Sequence, residues 1–352
     1  METLSWIDLE EIVAQAVVND SYADCNGPEA QRTFLRSLDQ ANEELFRLSR
    51  SENPDYGLPK MGEAYALWYH MRRVANVYAI LSAFEEDLFR SSPSGQWRVL
   101  DVGAGTGAVS MALACWMYSR RLALADRVQT RVLCLEPEDP MVEVADFILR
   151  RVSARTGCRL PLLRRLKNLH FLEEAGAIPR GEVFELVIFS TTFDFVSDDA
   201  GRRSVIADVQ AVLDRLLPDG LAIFLAPRVP QKSMFMEELS AVLKATKRWT
   251  RLRSGEVPDR DWPADGTPQA RIAAAREYLR GESRRLGMEP AILSPSAANP
   301  YPKYRNDVEF RVFRREVEGD ELGRRFRREL ARERVARQRT LHLGGATPGE
   351  PA

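Results

Sequence analysis

The stretch Val99-Leu100-Asp101-Val102-Gly103-Ala104-Gly105-Thr106-Gly107-Ala108-Val109-Ser110 restricts the fold more than any other part of the chain. Residues 99–102 form a short apolar run of the kind a buried strand makes. Three glycines then alternate with small residues, and apolar spacing over 108–118 predicts a helix. Strand, glycine loop and helix in that order build a cradle. Glycine lacks a Cβ, so the backbone can turn sharply there and lie directly against a ligand.

Downstream, strands and helices alternate. Strands are predicted at 131–136, 169–172, 184–190 and 221–225, with helices at 141–152, 204–217 and 233–243. Such alternation implies a parallel sheet with helices on both faces. Pro218-Asp219-Gly220 reads as a turn, and 253–265 as a polar, turn-rich stretch. A helix over 269–286 follows, inside an insertion at 254–287 placed after the fifth strand as a second part of the cover. Residues 291–293 and 308–313 are expected to form the last two strands as a hairpin, the second with clear alternation of Val308, Phe310 and Val312 with charges. Upstream, helical spacing dominates, with segments starting near Trp6, Pro28 and Met61. Ser91-Ser92-Pro93-Ser94-Gly95 is dense in turn formers and marks a boundary. The chain therefore divides into a helical cover over 1–92, a sheet domain over 96–316, a basic helix over 317–340 and a disordered tail over 341–352.

Composition excludes several classes. A formal net charge of -1 gives no global pull towards nucleic acid or an anionic membrane, and 45% hydrophobic residues support a substantial core. Cys25, Cys115, Cys134 and Cys158 form no paired metal or disulfide pattern, and His70, His170 and His342 are dispersed, so no metal site is expected. No uncharged apolar run approaches the ~20 residues that span a bilayer. The N-terminus lacks a basic segment followed by an apolar run, so a cytoplasmic protein is expected. The apolar helix over 5–18 offers a surface for a homo-oligomer.

Asp101-x-Gly103-x-Gly105-x-Gly107 resembles the first motif of the class I, Rossmann-like S-adenosylmethionine (SAM) dependent methyltransferases. The resemblance covers residues 97–226, with a weaker match to 314. It implies an α/β fold: a mostly parallel seven-stranded sheet with an antiparallel last strand, plus the helical cover and inserted helices. In that family the glycine loop lies against the methionine part of SAM. Asp101, Gly103, Ala104, Gly105 and Gly107 are thus expected cofactor contacts. Glu136 ends the second strand, followed by Pro137, and a carboxylate accepts two hydrogen bonds from a ribose diol. Glu174-Ala175-x-x-Ile178-Pro179 resembles the acidic stretch that meets adenine in the family, and Ser190-Thr191 occupies the position lining the cofactor. In related enzymes an aromatic or arginine just before the first strand meets the SAM carboxylate, which nominates Tyr69, Arg72 and Arg73.

Methyl transfer from a sulfonium is a direct displacement, so alignment and water exclusion matter more than a nucleophile. Trp68, Phe193, Tyr301 and Tyr304 are candidates for walling the acceptor, and His70 and Asp194 for a general base. The acceptor is expected to be an oxygen or nitrogen of a small molecule or peptide. The strand-four segment lacks an Asn/Asp-Pro-Pro-aromatic signature and a Pro-Cys pair, which argues against base methylation. A second reading is an RNA- or ribosome-associated methyltransferase-like protein. Tyr65-x-x-x-Tyr69-x-x-Arg72 resembles a family involved in mitochondrial small-subunit assembly, but its members carry cysteine clusters that this chain lacks. Residues 311–339 hold eleven arginines and six acids, interleaved as a solvated helix face would be. A NAD-dependent enzyme is the third reading, because Gly103-x-Gly105-x-x-Ala108 fits the loose dinucleotide pattern. Against it, Glu136 lies well past the ~20 residues at which a dinucleotide ribose ligand is expected.

Overall fold

The strand before the glycine loop is β1 (Trp97–Val102), and it lies inside a sheet. It pairs in parallel with β2 (Thr130–Leu135) on one side and β3 (Phe184–Ser190) on the other. β3 pairs in parallel with β4 (Leu216–Pro227). Beyond it, β6 (Val308–Arg315) runs antiparallel to β4, and β5 (Trp249–Glu256) antiparallel to β6. Among the described residues the order is β2-β1-β3-β4-β6-β5, with β6 alone reversed. The computed structural model describes residues 4–45, 47, 54–92, 97–120, 130–157, 178, 181–190, 199–257, 270–288 and 308–316.

Successive residues of a strand face opposite sides, and this splits the core in two. Val99, Leu186, Ile188, Leu221 and Ile223 point into one layer with α6 (Ala108–Ser119) and α7 (Asp139–Thr156). Leu100, Val102, Val187, Phe189 and Phe224 point into the other, with α8 (Asp199–Leu213) and α9 (Pro230–Ala245). Helices on both faces bury β3 from end to end, which is why it reads as one apolar run without alternation.

The first layer is closed by the N-terminal helices. α1 (Trp6–Gln15) starts with a capping box between Ser5 and Asp8 and continues as a π-helical stretch, Ala16–Tyr22. α2 (Pro28–Leu45) follows, then α3 (Met61–Tyr65), a second π-helical stretch Ala66–His70, α4 (Met71–Ala83) and α5 (Glu85–Ser91). α4 packs on α6 and α3 on α7. At the second crossing a Cβ on Gly62 would lie 2.0 Å from the Pro140 carbonyl oxygen, so only glycine fits. α10 (Ala270–Arg285) packs on α1; Tyr22 Oη donates to Glu282 Oε2 at 2.8 Å, and the Arg276 guanidinium sits 4.1 Å from the Trp68 ring centre.

The structure departs from the sequence reading in the second half. Six strands are described where seven were expected, and the expected strand at 169–172 lies outside the described residues, as does 291–293. The antiparallel partner of β6 on its outer side is β5, in a stretch whose first half was left unassigned and whose second half was read as polar turns. Among the described residues β5 is the sheet edge, mostly exposed, with a register shift between Arg251 and Arg253, so its side chains carry no clean alternation. The insertion carrying α10 therefore falls between β5 and β6. The helix expected to reach 217 ends at Leu213, and the Pro218-Asp219-Gly220 turn is absorbed into β4 as an irregularity with Asp219 at φ 63°. Among the described residues no helix is long and apolar enough to cross a membrane.

Candidate functional site

In open parallel sheets ligands bind beyond the carboxyl ends of the strands. At those ends β1 turns into the glycine loop. Gly103, Gly105 and Gly107 take φ of 70°, 55° and 83°, the left-handed region that side chains disfavour. That turn folds the loop back on β2. The Gly103 and Ala104 N–H groups donate to the Leu135 carbonyl at 2.9 and 3.1 Å. The Gly105 N–H then donates to Glu136 Oε2 at 2.6 Å, and the Glu138 N–H to Glu136 Oε1 at 3.2 Å. Two strand tips are thereby joined through one carboxylate.

Two buried acids meet here. Burial pushes Glu136 up to about 7, against the pull of the two backbone N–H groups. Asp101 has no solvent exposure, and neither carboxylate oxygen has a hydrogen-bond partner among the described residues. Burial raises it well above the ordinary carboxylate range; the Glu136 charge adds to this and Arg73 opposes it. An orphaned buried carboxylate is costly unless something pairs with it. It fits a cationic ligand group arriving at this loop.

The cover supplies the facing wall. Arg73 Nη1 donates to the Ser190 carbonyl at 3.0 Å, at the end of β3, and its guanidinium lies 5.1 Å from the Tyr65 ring centre. Tyr69 is half-buried against Tyr65, ring centres 5.4 Å apart, and burial raises its phenol. Arg72 is half-buried beside it. Pro137 is half-buried between Glu136 and Glu138.

His70 is not placed as a general base. It is fully buried, with Nδ1 2.8 Å from Thr106 Oγ1 and Nε2 3.1 Å from Met111 Sδ, so both nitrogens are engaged. Burial, with Arg73 nearby, pushes it down to about 3. Trp68 donates from Nε1 to Asn42 Oδ1 at 2.9 Å and stacks with Arg276, which directs it into the cover. Buried Cys134 contacts Ser110 Oγ at 3.7 Å, and burial raises its thiol well above the usual range. Glu174, Ala175, Thr191, Phe193, Asp194, Tyr301 and Tyr304 lie outside the described residues. Sequence reasoning missed Thr106, a small polar residue inside the loop whose type carries no signal of its own.

Fold and site together define a Rossmann-like α/β protein with a glycine loop and two buried acids at the carboxyl ends of β1 and β2. The sequence matches no known protein-family profile and no curated protein. Its architecture is similar, at low identity, to solved methyltransferase structures. A Listeria monocytogenes protein assigned as a class I SAM-dependent methyltransferase shares 12% identity at a TM-score of 0.45, over 89% of this chain and 88% of its own. Loganic acid methyltransferase with S-adenosylhomocysteine (SAH) shares 12% at 0.41, over 72% and 97%. The N-methyltransferase NodS from Bradyrhizobium japonicum shares 14% at 0.35, over 68% and 97%. Superpositions this loose establish no common activity.

Proposed function

We propose that this chain is a SAM-dependent methyltransferase acting on an oxygen or nitrogen of a small-molecule or peptide acceptor. One observation carries the reading: Glu136 is bonded to the Gly105 N–H beside an orphaned Asp101, across the tips of β1 and β2. The residues suit the cofactor. Each Glu136 oxygen keeps lone-pair capacity after its backbone bond, enough for a ribose diol. The bare backbone of Gly103, Gly105 and Gly107 would admit the methionine part. Asp101 would gain a hydrogen-bonding partner, which neither of its oxygens has among the described residues.

When bound, the cofactor supplies an already activated methyl group, which the acceptor lone pair takes by direct displacement. The protein is then required to align and to exclude water. Consistent with this, no side chain among the described site residues is poised as a nucleophile or base: Cys134 and His70 are buried and engaged. Phe193, Tyr301 and Tyr304 remain our candidates for the acceptor wall, Asp194 for a base, and Glu174 for adenine.

Calorimetry tests the reading. SAH is expected to bind in the micromolar range and NADH not at all. Glu136→Ala and Gly105→Arg are expected to weaken SAH at least tenfold, equal to about 1.4 kcal/mol. A wild-type protein that ignores SAH, or that prefers NADH, would sink it.

A further inference from the structure

We infer that His70 is a positioning residue for the cofactor loop: through Thr106 it holds Gly105-Thr106-Gly107 in the form that receives the cofactor. The inference rests on reading that loop as a SAM cradle.

A thioether sulfur can only accept a hydrogen bond. The 3.1 Å contact to Met111 Sδ therefore assigns the imidazole proton to Nε2. Nδ1 is then an acceptor, and the Thr106 hydroxyl donates to it at 2.8 Å. Thr106 stands between two glycines at φ 55° and 83° and is 1% exposed. It is the only side chain in the tripeptide, hence the only side-chain handle by which the rest of the protein can grip that backbone. The grip comes from the cover: His70 closes the π-helical stretch Ala66–His70. π-helical turns are rare and recur at functional sites.

The loop is thus held from two directions. Glu136 binds the Gly105 N–H from the tip of β2, and His70 binds Thr106 from the cover. Glycine backbone has the most freedom to lose, so fixing it before the ligand arrives lowers the cost of binding. The same segment reaches the tip of β3, where Arg73 donates to the Ser190 carbonyl. Burial keeps the imidazole neutral down to about 3, so the contact persists at ordinary pH.

The test pairs SAH calorimetry with amide hydrogen exchange of the ligand-free full chain, read at Gly105 and Gly107. The variants are His70→Asn, His70→Gln, Thr106→Val and Thr106→Ser. An asparagine amide reaches the place of Nδ1; a glutamine amide reaches that of Nε2. Thr106→Val and His70→Gln are expected to weaken SAH about tenfold and to speed exchange at both glycines. His70→Asn and Thr106→Ser are expected to recover most of both. The double variant His70→Gln/Thr106→Val should be no weaker than Thr106→Val alone, because both changes break one contact. Affinity and exchange that match wild type in every variant would overturn the inference. So would equal losses in Asn and Gln variants that merely track melting temperature. If His70→Gln does not fold, the Thr106 pair decides alone. A wild type that ignores SAH while exchange follows the expected order would sink the cofactor reading and leave the grip standing.

Discussion

At Glu136 and His70 burial acts on opposite charges, and the two effects oppose each other over one pH window. Glu136 sits at about 7 in the fold against 4.5 ordinarily, so the unfolded chain ionises first. Its contribution to stability is full below 4.5 and lost as pH rises towards about 7, a few kcal/mol at roughly 1.4 kcal/mol per pH unit. His70 sits at about 3 against 6.5, so the unfolded chain takes up the proton first, and stability is lost as pH falls from 6.5 towards 3. Between 4.5 and 6.5 the slopes partly cancel. Glu136→Gln removes one of them, so its melting temperature is expected to fall more steeply than wild type on acidification across that window. Parallel thermal melts for the two proteins would contradict the burial argument. The left-handed turn at Gly103, Gly105 and Gly107 was legible in the sequence because such a turn favours residues without a Cβ, whereas Asp101 and Glu136 were singled out by the resemblance to the methyltransferase motif. The roles of His70 and Trp68 were not legible, because π-helical spacing over Ala66–His70 rotates side chains off the face that ordinary helical periodicity assigns.

Among the elements, α10 and β5 show what periodicity can and cannot reveal. α10 has an apolar side, with Ile272, Ala275 and Leu279 buried, and was visible as a helix. β5 was invisible, because an exposed edge strand with an irregular register has no buried face to impose alternation. Its neighbour β6, paired with β4 and β5, turns Val308, Phe310 and Val312 into one core layer, and their alternation with charged residues was visible. The placement of α10 against the cover depends on chemistry that no pattern predicts, such as Arg276 stacked on Trp68. Arg276 is 5% exposed, so its loss leaves the Trp68 indole face without its partner and opens space in a buried contact. Arg276→Ala is expected to lower stability by about 1–3 kcal/mol, read from urea midpoints. A change under about 0.5 kcal/mol, the size of an ordinary surface substitution, would show that this stack does not anchor α10.

Across the whole molecule, the turn formers at 91–95 suggest a division that the core does not respect. Ala108 to Met117 of α6 are all buried, between the sheet on one side and α4 on the other. Phe89 of α5, Trp97 of β1 and Trp116 of α6 form one aromatic cluster, with ring centres 5.5 to 6.0 Å apart. Phe84 meets Phe310 of β6 at 6.1 Å. One continuous apolar cluster thus runs from Leu9 through the helices to Val312. A helix apolar on every side is stable only when it is covered on every side. Residues 96–352 expressed alone are therefore expected to be insoluble, or to bind a hydrophobic dye and melt without cooperativity. Full-length protein should give a single cooperative transition. The cover also carries His70 and Arg73 to the tips of β1 and β3, so such a truncation loses two walls of the site along with the core. A truncated chain that stays soluble, melts cooperatively and binds SAH as tightly as the full chain would show that the sheet domain is self-sufficient and the cover an accessory.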